Sequence, residues 1–192
     1  MSRGYTLVEI LVAMTLFVTL AAVAIPFAHA SVDRSRTAAA ARYLSSRMML
    51  ARLEAVKRSA FVAIRFVQTP AGYRFRTYRD GNRNGVLTSD ISKGIDQPIT
   101  FDERLDDQFP GVMFGIYPNV TSPDPGEAFN LGDPVQIGNS TLLSFNPNGS
   151  ATAGTIFIHG RLANQFAVRI LGTTARTRIL HFDFQDGKWR TP

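Results

Sequence analysis

The chain has 192 residues, a formal net charge of +6, 45% hydrophobic residues and no cysteine. That length allows one small domain beside any extended element, and the lack of thiols excludes disulfides and cysteine nucleophiles. The basic balance points to acidic partners: nucleic acid, acidic lipid or an acidic protein subunit.

The chain starts Arg3-Gly4-Tyr5-Thr6-Leu7-Val8-Glu9, and Ile10 to Ala28 follow as 19 residues without a charge. This run has about the length needed to cross a bilayer as a helix. Glu9 at its head is a functional candidate, because a carboxylate is costly in lipid. A basic start before an apolar run also fits a secretory signal peptide, and on segment length alone a plain single-pass anchor is favoured. The length of the run, the acid within it and the helical pattern continuing from Ser31 to Ala60 argue against a signal peptide. Arg3 favours a cytoplasmic N-terminus.

Residues 5–60 read as one spine helix, roughly 80 Å long at about 1.5 Å per residue. Pro26 should bend or loosen it, since proline cannot donate to the carbonyl of Ala22. Beyond Pro26 the pattern becomes amphipathic. Met49, Leu53, Val56 and Ala60 form one stripe, and Leu44, Met48, Ala51 and Ala55 a neighbouring one. This face is expected to pack on the following domain, with Met48 and Met49 as adaptable core filler. Glu54 and Arg58 are spaced for a surface pair.

Phe61–Val67 and Tyr73–Arg79 read as a hairpin around the turn 68–72, the second strand alternating aromatic with polar residues. Strands are also expected at Gly111–Tyr117, Leu142–Asn146, Thr155–His159, Phe166–Leu171 and Thr177–Asp183, the last three as a meander. Asn119–Asn139, rich in Pro and Gly, reads as a long loop.

Asp80-Gly81-Asn82-Arg83-Asn84-Gly85 resembles the head of a calcium loop, with Asp80, Asn82 and Asn84 as the oxygen ligands. The twelfth position is Ile91 where a bidentate acid is needed, and Asp90 falls one residue early. A structured turn with Asn and Gly in left-handed conformations is the favoured reading. No motif of a nucleophilic, phosphate-binding or zinc-hydrolase site occurs, and His29, His159 and His181 are far apart, so no enzyme and no cofactor is expected. The basic excess sits on the helix and in the last third. There Arg161, Arg169, Arg176, Arg178, Lys188 and Arg190 are candidates for phosphate contacts to DNA, or are solvated residues and contacts to acidic neighbours.

The order Gly-aromatic-Thr-Leu-Val-Glu before an apolar helix resembles the type IV prepilin family. The resemblance implies cleavage after Gly4 by prepilin peptidase and N-methylation of Tyr5. It also implies pairing of Glu9 with the N-terminal amine of a neighbouring subunit during assembly. Tyr5 departs from the usual Phe, and the leader, Met1 to Gly4, is very short. A second resemblance lies in Phe145-Asn146-Pro147-Asn148-Gly149, Gly154–Ile158, Ala167–Ile170 and Gly172–Arg178. These segments resemble the C-terminal pattern of the GspH/FimT family of minor pseudopilins and minor type IV pilins. The family's Gly-Arg-x-Arg element is here displaced, Gly172 standing apart from Arg176-Thr177-Arg178.

The resemblance implies an α+β, pilin-like fold: a long N-terminal transmembrane spine helix, then a β-rich globular domain of antiparallel strands. The divisions are leader 1–4, transmembrane half-helix 5–30, amphipathic half-helix 31–60 and periplasmic β domain 61–192. The implied function is that of a minor pseudopilin in the type II secretion pseudopilus, held in the bacterial inner membrane. Its implied partners are other major and minor pilins or pseudopilins, prepilin peptidase and secreted cargo. The alternative is a FimT-like minor pilin that binds DNA for uptake.

Overall fold

The computed structural model describes residues 6–124, 126, 129–138 and 140–192. Helix α1 runs from Leu7 to Arg58 without interruption, at ~1.5 Å per residue a rod of roughly 78 Å. Pro26 lies inside it, and its missing N–H leaves the Ala22 carbonyl without an intrahelical donor. A capping box opens the helix. The Thr6 hydroxyl accepts from the Glu9 backbone N–H, and the Glu9 carboxylate accepts from the Thr6 N–H. At the far end Ser59 adopts a left-handed conformation (φ 49°). The Ala60 N–H then closes onto Ala55 O at 3.2 Å and the Ser59 N–H onto Val56 O at 3.3 Å, a Schellman closure made with serine in place of glycine.

The remaining elements are β1 (Val62–Thr69), β2 (Gly72–Arg79), α2 (Thr88–Ser92), β3 (Gln97–Pro98), α3 (Leu105–Gln108), β4 (Met113–Phe114), β5 (Val135–Gln136), β6 (Leu142–Phe145), β7 (Gly154–His159), β8 (Gln165–Ile170), β9 (Thr177–Asp183) and β10 (Lys188–Arg190). They form two antiparallel sheets. The first has the order β3-β2-β1-β6. The second has the order β10-β9-β8-β7-β4, with β5 also on β7. The fold class is therefore as expected: one long apolar helix followed by antiparallel β structure.

The hairpin register, Phe66 opposite Phe75 and Thr69 opposite Gly72, tightens the expected five-residue turn to two residues, Pro70 and Ala71. The strand expected over Gly111–Tyr117 shrinks to two residues, because only Met113 and Phe114 pair with β7. The short β3, β5 and β10 escaped prediction, since two or three residues carry no readable alternation.

Both sheets lay their apolar sides on the C-terminal half of α1. Ala40, Ala41, Leu44, Met48, Ala51 and Ala55 meet Val62, Ile64 and Phe66 of β1, Phe75 of β2, and Phe166, Val168 and Ile170 of β8 in one core. The stripe expected beside it does not pack: Met49, Leu53 and Val56 are about half exposed. From Ala41 to Ala55 the buried set is spaced three and four residues apart, which keeps it on one line of a 3.6-residue helix, with Ala40 beside it. The Met49 stripe lies one residue, about 100°, further round and faces outward. Small alanines at 40, 41, 51 and 55 let the sheets approach the helix backbone closely.

The reverse side of the second sheet is also covered. Phe129 meets Phe157 edge to face at 5.5 Å between ring centres, Trp189 lies 5.2 Å from Phe182 and 5.9 Å from Phe157, and the indole N–H donates to Thr121 O at 2.8 Å. The long loop thus lies on the sheet instead of projecting from it.

Candidate functional site

The first half of α1 is the part the fold leaves unused. Leu7, Val8, Leu11, Val12, Phe17, Leu20, Val23 and Phe27 are each exposed by more than half. A continuous apolar surface of this size is unstable in water and needs lipid or other helices against it. The helix is long and apolar enough to cross a membrane. Glu9 stands at its head, its Oε2 receiving the Thr6 N–H at 2.8 Å and the Thr6 hydroxyl at 2.9 Å. Gly4 and Tyr5 lie outside the described residues.

Where the bare half of the helix meets the β domain, Asp33 makes the junction. It is 8% exposed. Its Oδ1 accepts from the Arg161 N–H at 2.9 Å, and its Oδ2 accepts from the Leu162 N–H at 3.0 Å and from Asn164 Nδ2 at 2.6 Å. One helical carboxylate therefore terminates three donors of the β7–β8 turn. Burial pushes its carboxyl group up. The bonds from Arg161, Asn164 and Leu162, with the Arg161 charge, outweigh that and hold its pKa below the ordinary range. One turn further on, the Thr37 hydroxyl donates to Asp33 O at 2.8 Å. The approach is so close that a Cβ on Gly160 would lie 2.5 Å from both Asp33 Oδ2 and Thr37 Oγ1. Behind the turn, buried Gln165 donates to Ile158 O and Gly115 O and accepts from the Tyr117 N–H, and the Tyr117 hydroxyl donates to Gly160 O at 2.8 Å.

A second tie sits farther along the helix. Arg47 donates to both oxygens of Glu103, Nη2–Oε1 at 2.5 Å and Nε–Oε2 at 3.0 Å, while the Tyr43 hydroxyl donates to Oε2 of the same carboxylate. Burial opposes the Arg47 charge, but these bonds outweigh it and push its pKa up. The two ties join the helix to both sheets. Neither was legible from the chain: nothing local marks Asp33, which with Glu54 makes up the acids of the basic segment 32–60. The available signal was Gly160-Arg161 followed by Asn164, a tight turn whose donors need an acceptor.

The six basic candidates of the last third do not form one stripe. Arg169 and Arg178 are opposite each other on β8 and β9, on the side away from the helix. Lys188 and Arg190 pair with Asp183 and His181 on the other side. Arg161 is in the β7–β8 turn and Arg176 in the β8–β9 turn at the opposite end of the strands. Arg169 forms an ion pair with Asp124, and Arg190 pairs with Asp186 and, at 3.6 Å, with Asp183.

The oxygens of the 80–85 loop are turned to other uses. Asp80 Oδ1 accepts from the Asn82 and Arg83 N–H groups and Oδ2 from Gly85. The Asn82 and Asn84 amides donate to Asp90 Oδ2 at 3.1 and 2.9 Å, and Asp96 accepts from Gly81 and Leu87. Among the described residues no group of three or more His, Cys, Asp or Glu is placed to hold a metal ion. As arranged, these polar groups are bonded to one another and to the N–H groups of the loop. The turn is structured as expected, but Arg83 (φ 65°) and Gly85 (φ 92°) take the left-handed conformations, not the asparagines.

Residues 40–175 match the family described as Type II transport protein GspH. The chain belongs to the GspH family. Residues 1–25 of this GspH-family chain match the prokaryotic N-terminal methylation motif, which spans Gly4, Tyr5 and Glu9. Among solved structures it is similar to the minor pseudopilin EpsH from the Type 2 Secretion System of Vibrio cholerae. The identity is 15% over 75% of this chain and 94% of that one, with a TM-score of 0.46. No match is found among curated proteins.

Proposed function

We propose that this GspH-family chain is a minor pseudopilin of a type II secretion system, a structural subunit built into a periplasmic pseudopilus. The observation that carries the reading is the division of α1. Its first half is bare and apolar with Glu9 at the head, and its second half is bound into a β domain through Asp33, Arg47 and the alanine seam. Such a rod holds a globular domain at a fixed distance from a membrane or from a bundle of like helices. Before assembly the bare half sits in the inner membrane, with Arg3 on the cytoplasmic side and the β domain in the periplasm. Prepilin peptidase cuts after Gly4 and Tyr5 is methylated. The free amine of one subunit then pairs with Glu9 of the next, which a buried carboxylate in an apolar bundle requires. The outward Met49–Leu53–Val56 stripe gives neighbouring subunits an apolar face above the membrane. The other pilin-like subunits and the secreted cargo are the partners of this reading.

The test is made in cells carrying the secretion system. Gly4→Ala is expected to leave an uncleaved, unassembled precursor. Glu9→Gln is expected to be cleaved normally but to be lost from sheared pseudopilus fractions. A Gly4→Ala protein of unchanged size and unchanged assembly would overturn the proposal. The alternative is DNA uptake through the basic last third, whose six candidates lie on both sides and at both ends of the second sheet. Titration of the chain with duplex DNA at two salt concentrations tests it separately.

A further inference from the structure

The outer face of the first sheet carries more positive charge than the acid beside it balances. Odd-numbered positions of β1 and even-numbered positions of β2 point away from the helix, which places Arg65 directly opposite Arg76, with Arg74 one pair along, opposite Val67. Like charges facing each other across an antiparallel pair destabilise a sheet. A protein that keeps three arginines there is expected to gain something from their field. The only acid among the residues lining this cleft is Asp102, itself half exposed, 3.6 Å from Arg74 and 3.9 Å from Arg76. At those separations in water it neutralises little. Arg65 is the least satisfied: its Nε is buried with no acceptor among the described residues. Between the arginines and Asp102 lies a cavity of about 140 Å³. Arg76 holds its place by donating Nε to Thr100 O at 2.9 Å and by lying over the Tyr78 ring at 5.9 Å.

The segment that carries Asp102 also carries Phe101, which is 88% exposed, the most exposed large apolar side chain described. The segment is pinned on both sides of it, by the Ile99 N–H on Thr77 O at 2.9 Å and by the bridge of Glu103 to Phe75. Phe101 is thus an aromatic held out to solvent from a fixed backbone, between Thr100 and Asp102, both of which Arg76 contacts. Arginine and aromatic side chains side by side are the composition of an interface centre. The cleft has room for a carboxylate, and guanidinium forks match a carboxylate in two-bond geometry. A nucleic-acid backbone would need a longer stripe, and it would meet Asp102 as a repelling charge.

We infer that this face docks an acidic segment of a neighbouring protein subunit, with a carboxylate seated among Arg65, Arg74 and Arg76 and an apolar side chain against Phe101. The inference rests on the reading of the chain as an assembled subunit, but its test does not need assembly.

The probe is a fluorescein-labelled peptide of glutamates around one leucine. It is titrated by fluorescence anisotropy into the full chain in neutral detergent micelles at low and high salt. Binding is expected at low salt, weaker at high salt as exposed charges are screened. Arg74→Glu with Arg76→Glu should weaken it by at least about tenfold, as two charge-assisted contacts become repulsive. Phe101→Ala should weaken it severalfold, and Arg178→Glu on the other sheet should leave it unchanged. Arg74→Gln with Arg76→Gln, checked for an unchanged unfolding midpoint, serves if the reversal unfolds the sheet. Absence of peptide binding at low salt, or binding indifferent to Arg74 and Arg76, would overturn the inference. So would duplex DNA binding more tightly than the peptide through the same arginines, since the face would then be a phosphate site. Failure here with normal cleavage and assembly leaves the subunit reading standing; the reverse result separates them the other way.

Discussion

Replacing Asp33 by alanine tests the joint between rod and domain. Three donors, the N–H groups of Arg161 and Leu162 and the Asn164 amide, end on this one carboxylate, which is 8% exposed. Stranding a buried donor costs about 1–3 kcal/mol. The three costs do not add fully, because water enters the vacated space and the turn relaxes. A loss of about 3 kcal/mol is therefore expected, a large share of the ~5–15 kcal/mol that holds a whole domain. Asp33→Asn keeps the shape and one acceptor, and about 2 kcal/mol is expected. The assay is urea unfolding of the full chain in neutral detergent, paired with hydrogen exchange at residues 160–165. Exchange there should accelerate while the β1–β2 hairpin stays protected.

The pH dependence supplies an independent check. The folded pKa of Asp33 lies below its unfolded value, so its contribution is present above the unfolded pKa, about 3.9, and is lost as pH falls through the folded pKa. The gap between wild type and Asp33→Asn should accordingly be full at neutral pH and shrink as pH falls below about 4. A loss under about 0.5 kcal/mol for Asp33→Ala, the usual size of a surface change, would refute the joint. So would a gap that widens in acid.

Other expectations follow from the same geometry. Gly160→Ala places a methyl group 2.5 Å from Asp33 Oδ2 and Thr37 Oγ1, so chemical unfolding should show a loss of about 1–3 kcal/mol from overpacking. Met48→Ala empties a fully buried site and should cost about 2–5 kcal/mol. Met49→Ala, its exposed neighbour, should stay within about 0.5 kcal/mol in the isolated chain and lower recovery in sheared filaments. Asp80→Ala strands the N–H groups of Asn82, Arg83 and Gly85 and should cost about 1–3 kcal/mol. The thermal midpoint of the wild type should be the same in EDTA and in excess calcium. A clear rise with calcium would show that the loop rearranges around the ion.

Hydropathy, motif and alternation are local properties, and what depends on them was legible in the chain. The run from Ile10 to Ala28, the acid at Glu9, the long helix (which stops at Arg58, two residues short of the expected end), the hairpin and the meander could all be read there. So could the resemblance that the family match bears out. The Asp80 turn was legible too, because its bonds stay within a few residues, although Arg83 took the left-handed position expected of an asparagine.

Tertiary structure alone decided which of two adjacent stripes the sheets would cover, since Met48 and Met49 are equally apolar and differ only in azimuth. It alone brought Asp33 to Arg161, Leu162 and Asn164, more than 125 positions away in each case. It also divided the basic last third over two sides of a sheet. And while alternation alone puts Arg74 and Arg76 on one basic strand face, only strand pairing set Arg65 opposite Arg76. A side chain's chemistry is written in the chain, but its partners are set by packing, which depends on every other residue at once.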